Sequence, residues 1–266
     1  MIVDCEKLLA HYKEQIRQFT DVAVVGLSGG ADSSLTAILS MGALGKDNVY
    51  GVSMPYNETD AKTFNARSAL LAERIGINHL IRPIRDIADA INTKISVHSE
   101  DEISELNKGN SRSRARMCVL YGINHTIANK LLEKRVRVIG TGNLSEDFIG
   151  YDTKGGDALA DFFPIGELFK SEVYQFLDYF RDQGVITDEH IDRTPSAGLE
   201  DGQTDEGDLG YTYNEMEKGI RFCMDHHAQI DDQHLDEITQ FVWDRHQSQK
   251  HKHQAPPVIK VRSFCN

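Results

Sequence analysis

Cysteine is sparse in this chain: four residues, Cys5, Cys118, Cys223 and Cys265, with no CxxC pair among them. That scatter supports neither a zinc site nor a disulfide framework, and reads as reduced thiols in a cytoplasmic protein. No apolar run reaches the roughly 18 residues of a membrane span. The N-terminus, MIVDCEKLLAHYKEQ, is amphipathic and charged, unlike a signal peptide. Positive charge is in deficit, with 29 Lys and Arg against 41 Asp and Glu, which disfavours a broad nucleic-acid surface. Neither a membrane nor a nucleic acid is expected as a partner. There is no internal repeat and no sign of a second domain. The 266 residues read as one domain, 1–266, with a basic tail from about 249 to 266.

Two common phosphate loops are also missing. No Gly-Lys-Ser/Thr of a Walker A loop occurs where one would fit, and Gly26, Gly29 and Gly30 have the wrong spacing for GxGxxG. What stands there is a β-branched run, Val22, Val24 and Val25, leading into Gly26-Leu27-Ser28-Gly29-Gly30-Ala31-Asp32-Ser33 and then a helix-forming stretch. A strand delivering glycine and serine to a helix N-terminus builds an anion site, because unpaired N–H groups and the helix dipole converge there. Asp32 would repel a bare phosphate, so its presence argues for a bridging metal ion. A plain helix N-cap is the duller alternative.

Strand-like runs at 48–54, 79–84 and 136–140 alternate with helical patterns at 60–75 and 114–134. This alternation predicts an α/β fold: a doubly wound parallel sheet of about five strands, with ligands beyond the carboxyl ends of the strands. Helices are also predicted near 168–182, 213–226 and 233–248. Between 196 and 210, SAGLEDGQTDEGDLG lacks apolar periodicity and reads as a mobile lid. Residues 108–116 carry four positive charges and no negative one, a segment suited to a small phosphorylated ligand.

The loop SGGADS resembles the pyrophosphate loop of the N-type ATP pyrophosphatases. Four further clusters follow in order: Gly109-Asn110 with Arg114-Ala115-Arg116 at a helix start; Gly140-Thr141-Gly142-Asn143-Leu144-Ser145-Glu146; Gly150-Tyr151-Asp152-Thr153-Lys154-Gly155-Gly156-Asp157 through Asp161 and Pro164; and Pro195-Ser196-Ala197-Gly198-Leu199 with Gln203-Thr204-Asp205-Glu206. With the His251-Lys252 tail, they are similar to the NAD synthetase family in its ammonia-dependent form, from about residue 5 to 255. A glutamine-dependent relative would carry a glutaminase domain, and none is recognisable.

The resemblance implies an adenine nucleotide alpha hydrolase-like sheet with C-terminal helices. It also implies a ligase in which the carboxylate of nicotinic acid adenine dinucleotide (deamido-NAD) attacks the α-phosphate of ATP. Pyrophosphate leaves, and ammonia displaces AMP from the acyl-adenylate to give NAD. ATP is then a co-substrate and Mg²⁺ the cofactor, with Asp32 and Glu146 as metal ligands. The ATP set is Gly26, Leu27, Ser28, Gly29, Gly30, Ala31, Asp32, Ser33, Thr141, Lys170 and Ser196. The deamido-NAD set is Arg114, Lys154, Asp161, His251 and Lys252, of which Arg114 offers a planar fork suited to phosphate or carboxylate. Asp32, Lys170 and Asp161 are the implied catalytic residues. Family members are dimeric, so a homodimer follows, with helix 114–134 offering apolar surface for it.

Plainer readings stay open. Glu146 could cap a helix, Arg116 could form a surface ion pair, and Asp157 could orient Lys154. Phe162 and Phe163 suit a core. His251 and His253 have metal-pair spacing, but beside lysines they read as solvated. Three departures are visible: Ala31 where the family often has Gln, Gly142-Asn143 where many relatives have Asp-His, and Ser113 where alanine is usual. Competing functions are another SGGxDS pyrophosphatase, GMP-synthetase-like or tRNA-thiolating, and an ATP-binding sensor without catalysis.

Overall fold

The computed structural model describes residues 1–98, 102–188, 204–226 and 235–261. Helix α1 (Cys5–Phe19) is capped by Asp4, whose carboxylate accepts from Lys7 N–H at 2.9 Å. Strand β1 (Val22–Gly26) follows, then α2 (Ala31–Leu44), β2 (Val49–Ser53), α3 (Glu58–Ile75), β3 (Asn78–Ile81), α4 (Arg85–Asn92), α5 (Glu105–Ala128) and β4 (Val136–Ile139). All four strands pair in parallel, in the order β3-β2-β1-β4. The chain winds outward from β1 to β3, then returns through α5 to lay β4 on the other side of β1. The crevice between β1 and β4 is therefore the topological switch point.

About five strands were anticipated, and the fifth is reduced to one parallel bridge between Ile139 and Phe162. Gly140 donates to the Phe162 carbonyl at 2.9 Å, and Asp161 N–H to the Val138 carbonyl at 3.0 Å. The segment thus lies along β4 without continuing as a strand.

Central strands buried on both faces need apolar residues throughout, and β1 supplies them. Ala23 and Val25 face a core completed by Leu35 and Ile38 of α2, Leu71 of α3 and Ile16 of α1. Val22 and Val24 face the opposite layer, with Ala88 of α4 and Ala115, Leu120 and Ile127 of α5. Phe162 packs against the first core and stacks on Phe19 at 5.0 Å, so its core reading holds.

Helix α5 starts nine residues before the expected 114 and ends six before 134, because Ser104 caps it from upstream, accepting from Asn107 N–H at 3.3 Å. Arg114 and Arg116 therefore sit in mid-helix rather than at its start. Beyond β4 come α6 (Leu144–Ile149), α7 (Lys170–Asp182), α8 (Asp205–Leu209), α9 (Tyr213–His226) and α10 (Glu237–Gln249). The last two pack with α6 around Met216, Ile220 and Val242. Residues 205–209 of the anticipated lid are this short helix α8, with Leu209 buried; 196–203 lie outside the described residues.

Candidate active site

The loop leaving β1 turns at Gly29, whose φ of +76° is a conformation that a side chain would strain. Gly30 is the N-cap of α2 and brings no side-chain cap, so Asp32, in the first turn, is not capping the helix. The two loop serines fold onto each other: Ser28 Oγ and Ser33 Oγ are 3.0 Å apart. Ser28 Oγ also accepts from Gly30 N–H at 3.2 Å, and Ser33 Oγ donates to the Gly30 carbonyl. That bracing leaves the first-turn N–H groups of α2, at Ala31, Asp32 and Ser33, without intrahelical acceptors at the end of β1.

Asp32 is instead a junction. Its Oδ1 accepts from Asn143 Nδ2 at 3.0 Å, and its Oδ2 from Lys170 Nζ at 2.6 Å. The same ammonium donates to Glu146 Oε1 at 2.7 Å. Lys170 opens α7, its side chain only 5% exposed. Burial alone would lower the pKa of its ammonium, but the carboxylates of Asp32 and Glu146 reverse this and raise it. Burial pushes Glu146 up to about 7, against the pull of Lys170.

Three residues complete this junction to which the sequence reading gave no role. Asn143 is the N-cap of α6 and accepts from Glu146 N–H at 3.1 Å, so one amide both starts the helix and orients Asp32. An Asn three residues before Glu was the visible signal. Tyr213 OH lies 3.0 Å from Glu146 Oε1 and 2.9 Å from Asp205 Oδ2. A phenol has one proton, so it donates to one carboxylate at a time. Buried Glu217 takes bonds from Ser145 Oγ, Ser171 N–H and Ser171 Oγ, while Lys170 N–H donates to Ser145 Oγ at 2.9 Å. Glu217 thereby fixes the helix start from which Lys170 reaches the carboxylates.

Asp32 and Glu146 thus set two carboxylates against one ammonium, with Asp205 joined to them through Tyr213. This hard-oxygen set with surplus negative charge has the donor chemistry of a Mg²⁺ site, so these residues fit the metal that the sequence implies. Thr141 lies two residues past the carboxyl end of β4. Ser196 lies outside the described residues.

A second group forms around Lys154 and the tail. Arg114 Nε donates to the Lys154 carbonyl at 3.3 Å, and Lys154 Nζ to the His251 carbonyl at 3.0 Å. Lys252 Nζ donates to the carbonyls of Gly150 (2.8 Å) and Asp152 (2.7 Å). Asp157 does not orient Lys154; its Oδ1 accepts from Thr153 N–H and Ser113 Oγ, both at 2.8 Å. The Ser113 hydroxyl, a departure from the family, is thus used. Arg116 donates to the Met54 carbonyl at 3.2 Å. Asp161 joins neither group directly: its Oδ2 accepts from Val138 N–H at 2.7 Å and its Oδ1 from Tyr121 OH at 3.3 Å. Cys5, Cys118 and Cys223 are free thiols, and burial raises Cys223 to about 11, an unreactive setting.

Comparison with known proteins matches this arrangement to one family. The family model described as NAD synthase matches residues 1–256. The chain is 36% identical to the NH(3)-dependent NAD(+) synthetase of Methanosarcina acetivorans, over 97% of this chain and 100% of that one. It is 37% identical to the Methanocaldococcus jannaschii protein of the same name, over 90% and 88% of the two chains. Among solved structures, it is similar to the NH3-dependent NAD synthetase of Campylobacter jejuni (TM-score 0.73, 26% identity, 97% and 100% covered). It is equally similar to an NMN synthetase from Francisella tularensis (TM-score 0.74, 26% identity, 96% of each covered).

Proposed function

The chain belongs to the NAD synthase family, and on that premise we infer that it is a ligase that uses ATP to amidate deamido-NAD with ammonia, giving NAD. We propose that AMP and pyrophosphate are the other products, formed through an acyl-adenylate. A carboxylate is a poor acceptor for ammonia, and adenylation gives it a leaving group. The observation that carries the residue assignments is the Lys170 ammonium held between Asp32 and Glu146 beside the glycine-rich loop.

In this scheme the first-turn N–H groups of α2 receive the β- and γ-phosphates as pyrophosphate departs, with Ser28 and Ser33 bracing the loop that presents them. Lys170 supplies fixed positive charge to the same phosphates, and its raised pKa keeps that charge at any working pH. Asp32 and Glu146 would hold Mg²⁺, which supplies Lewis-acid stabilisation of the developing phosphate charge when bound. Thr141 and Ser196 take the nucleotide's remaining polar contacts. Arg114, Lys154, His251 and Lys252 form the basic side that receives deamido-NAD. Asp161, held by Val138 N–H and Tyr121 OH, is assigned to the same substrate on the family pattern alone.

A pyrophosphate-release assay with ATP, ammonia and deamido-NAD tests the scheme, with nicotinic acid mononucleotide as the second carboxylate. Release that depends on deamido-NAD supports it. Release with the mononucleotide alone would move the chain toward the NMN-forming relatives, and ATP binding without release would make it a sensor.

We further propose a homodimer working in the cytoplasm. Helix α5 places Ala115, Met117, Leu120 and Ile127 against its own sheet, so less of its apolar surface is left for a partner than the sequence implied. The half-buried Val119 and Ile123 remain. The exposed thiol of Cys118 suits a reducing compartment.

A further inference from the structure

His253 takes no part in the scheme above; it is exposed, as the sequence suggested, but its imidazole meets an acidic neighbour. Its Nε2 stands 2.5 Å from Asp152 Oδ2. Asp147, on α6, adds a third donor, and one ligand atom from each of Asp147, Asp152 and His253 lies within 4.8 Å of the others. We propose that these three side chains form a second cation site, distinct from the one at Asp32 and Glu146, that takes a divalent transition metal ion of the Zn²⁺ type.

The donor set argues for that class of ion. Two carboxylates and one imidazole are the mixed oxygen and nitrogen ligands that zinc and its first-row neighbours accept, whereas Mg²⁺ and Ca²⁺ take oxygen. Ligand atoms about 2.0–2.2 Å from a tetrahedral metal lie roughly 3.3 Å from one another. All three ligand atoms already lie within 4.8 Å of one another, and a metal would part His253 and Asp152 from their present 2.5 Å contact by under 1 Å. Three protein ligands leave an open position, which water can fill.

The independent observation is the state of Asp152. Its side chain is 6% exposed, and its oxygens meet only ion-pair contacts that miss ideal hydrogen-bond geometry, His253 on Oδ2 and Lys252 on Oδ1. A buried carboxylate that accepts no hydrogen bond is costly, and few native proteins keep one without a further ligand. Lys252 does not fill the gap. Its Nζ is 3.5 Å from Asp152 Oδ1 and is committed to the Gly150 and Asp152 carbonyls. The imidazole of His253 pairs with Oδ2 and leaves Oδ1 with no contact shorter than the 3.5 Å of Lys252. An ion entering here would satisfy both Asp residues and draw His253 onto the same centre.

The three ligands come from α6, from the loop after Gly150 and from the tail. A metal would fasten the tail segment bearing His251 and Lys252 to the helix that bears Glu146. That consequence for the substrate side rests on the proposed function; metal binding itself does not.

The test is a Co²⁺ titration of the full chain after chelator treatment, with no nucleotide present, followed by visible absorption and repeated with Zn²⁺ by calorimetry. One saturating equivalent should bind to the wild type and still bind to Asp32→Asn. Loss of even an outer partner of a metal ligand lowers affinity 10–100-fold, so His253→Gln and Asp152→Asn should each lower it by at least about 100-fold. His253 lies on the tail, so its replacement keeps the test valid even if Asp152→Asn fails to fold; melting in chelator checks both. Absence of saturable binding to the wild type, or the same titration for His253→Gln, would overturn the site and leave a proton-held His–Asp pair.

Discussion

Replacing Lys170 by Met keeps most of the side-chain volume and removes the one charge that Asp32 and Glu146 share. Taking one partner out of a buried ion pair costs about 3–5 kcal/mol, because the remaining charge is left uncompensated. Here two carboxylates remain, but they are 18% and 19% exposed, so some hydration reaches them. Glu146, pushed up to about 7, can also take a proton near neutrality. Both effects favour the low end, about 3 kcal/mol, which for a chain of this size is a fall of roughly 6–12 °C in Tm. The decisive measurement is thermal melting with chelator and again with excess Mg²⁺. A ligand at 100 times its dissociation constant stabilises by about 2.7 kcal/mol. In the variant the ion meets two carboxylates with no ammonium to compete, so Mg²⁺ should narrow the gap to wild type. Pyrophosphate release should fall by about 10²–10³-fold even at saturating Mg²⁺. A variant that melts with the wild type in chelator, or a gap that Mg²⁺ leaves unchanged, would refute the account of Lys170 as the shared counter-ion.

Asp32→Asn should lower pyrophosphate release by about 10²-fold or more while costing less Tm than Lys170→Met, since Lys170 keeps Glu146 and an amide oxygen can still accept from it. Equal losses of activity and stability would count against the metal-ligand role. On the acid side, the Arg135 guanidinium and N–H hold the Asp21 carboxyl down to about 2, from an ordinary 3.8. A depressed carboxyl stabilises the fold above its ordinary value, and this contribution disappears as the pH falls from about 4 through 2. Asp21 is partly exposed, so no more than about 1 kcal/mol is at stake; urea midpoints between pH 2 and 5 should show less acid sensitivity in Asp21→Asn. Sedimentation at micromolar concentration should show a dimer, and a monomer that turns over would remove the proposed pairing.

The sheet was legible because each strand is a short apolar run closed by a turn, and β1 to β4 fall within two or three residues of their expected positions. Helix α9 matches its anticipated span because its apolar stripe is regular. Helix α5 was misplaced at its start because Lys108-Gly109-Asn110-Ser111 reads as helix-poor. Those small residues are tolerated by packing, with Gly109 and Ser111 both buried in the fold. Helices α6 and α8, of six and five residues, are too short to show a period. Asp32 could be read from the loop motif, Glu146 and Lys170 came with the family resemblance, and the three do meet. Tyr213 and Glu217 could not: they lie 67 and 72 residues from the α6 side chains they meet, and only the folded chain brings them there.

Helix α6 gives the two halves of the site a common mechanical part. Glu146 leaves it toward Lys170, while Lys252 grips the Gly150 carbonyl at its far end. Six residues make too stiff a body to yield at one end and stay put at the other. A nucleotide that repositions Glu146 therefore also repositions the carbonyl on which the tail is anchored. On the proposed assignment of the two ends, occupancy at one is then a thermodynamic variable of the other: whatever factor ATP applies to the affinity for the dinucleotide, the dinucleotide must return to ATP.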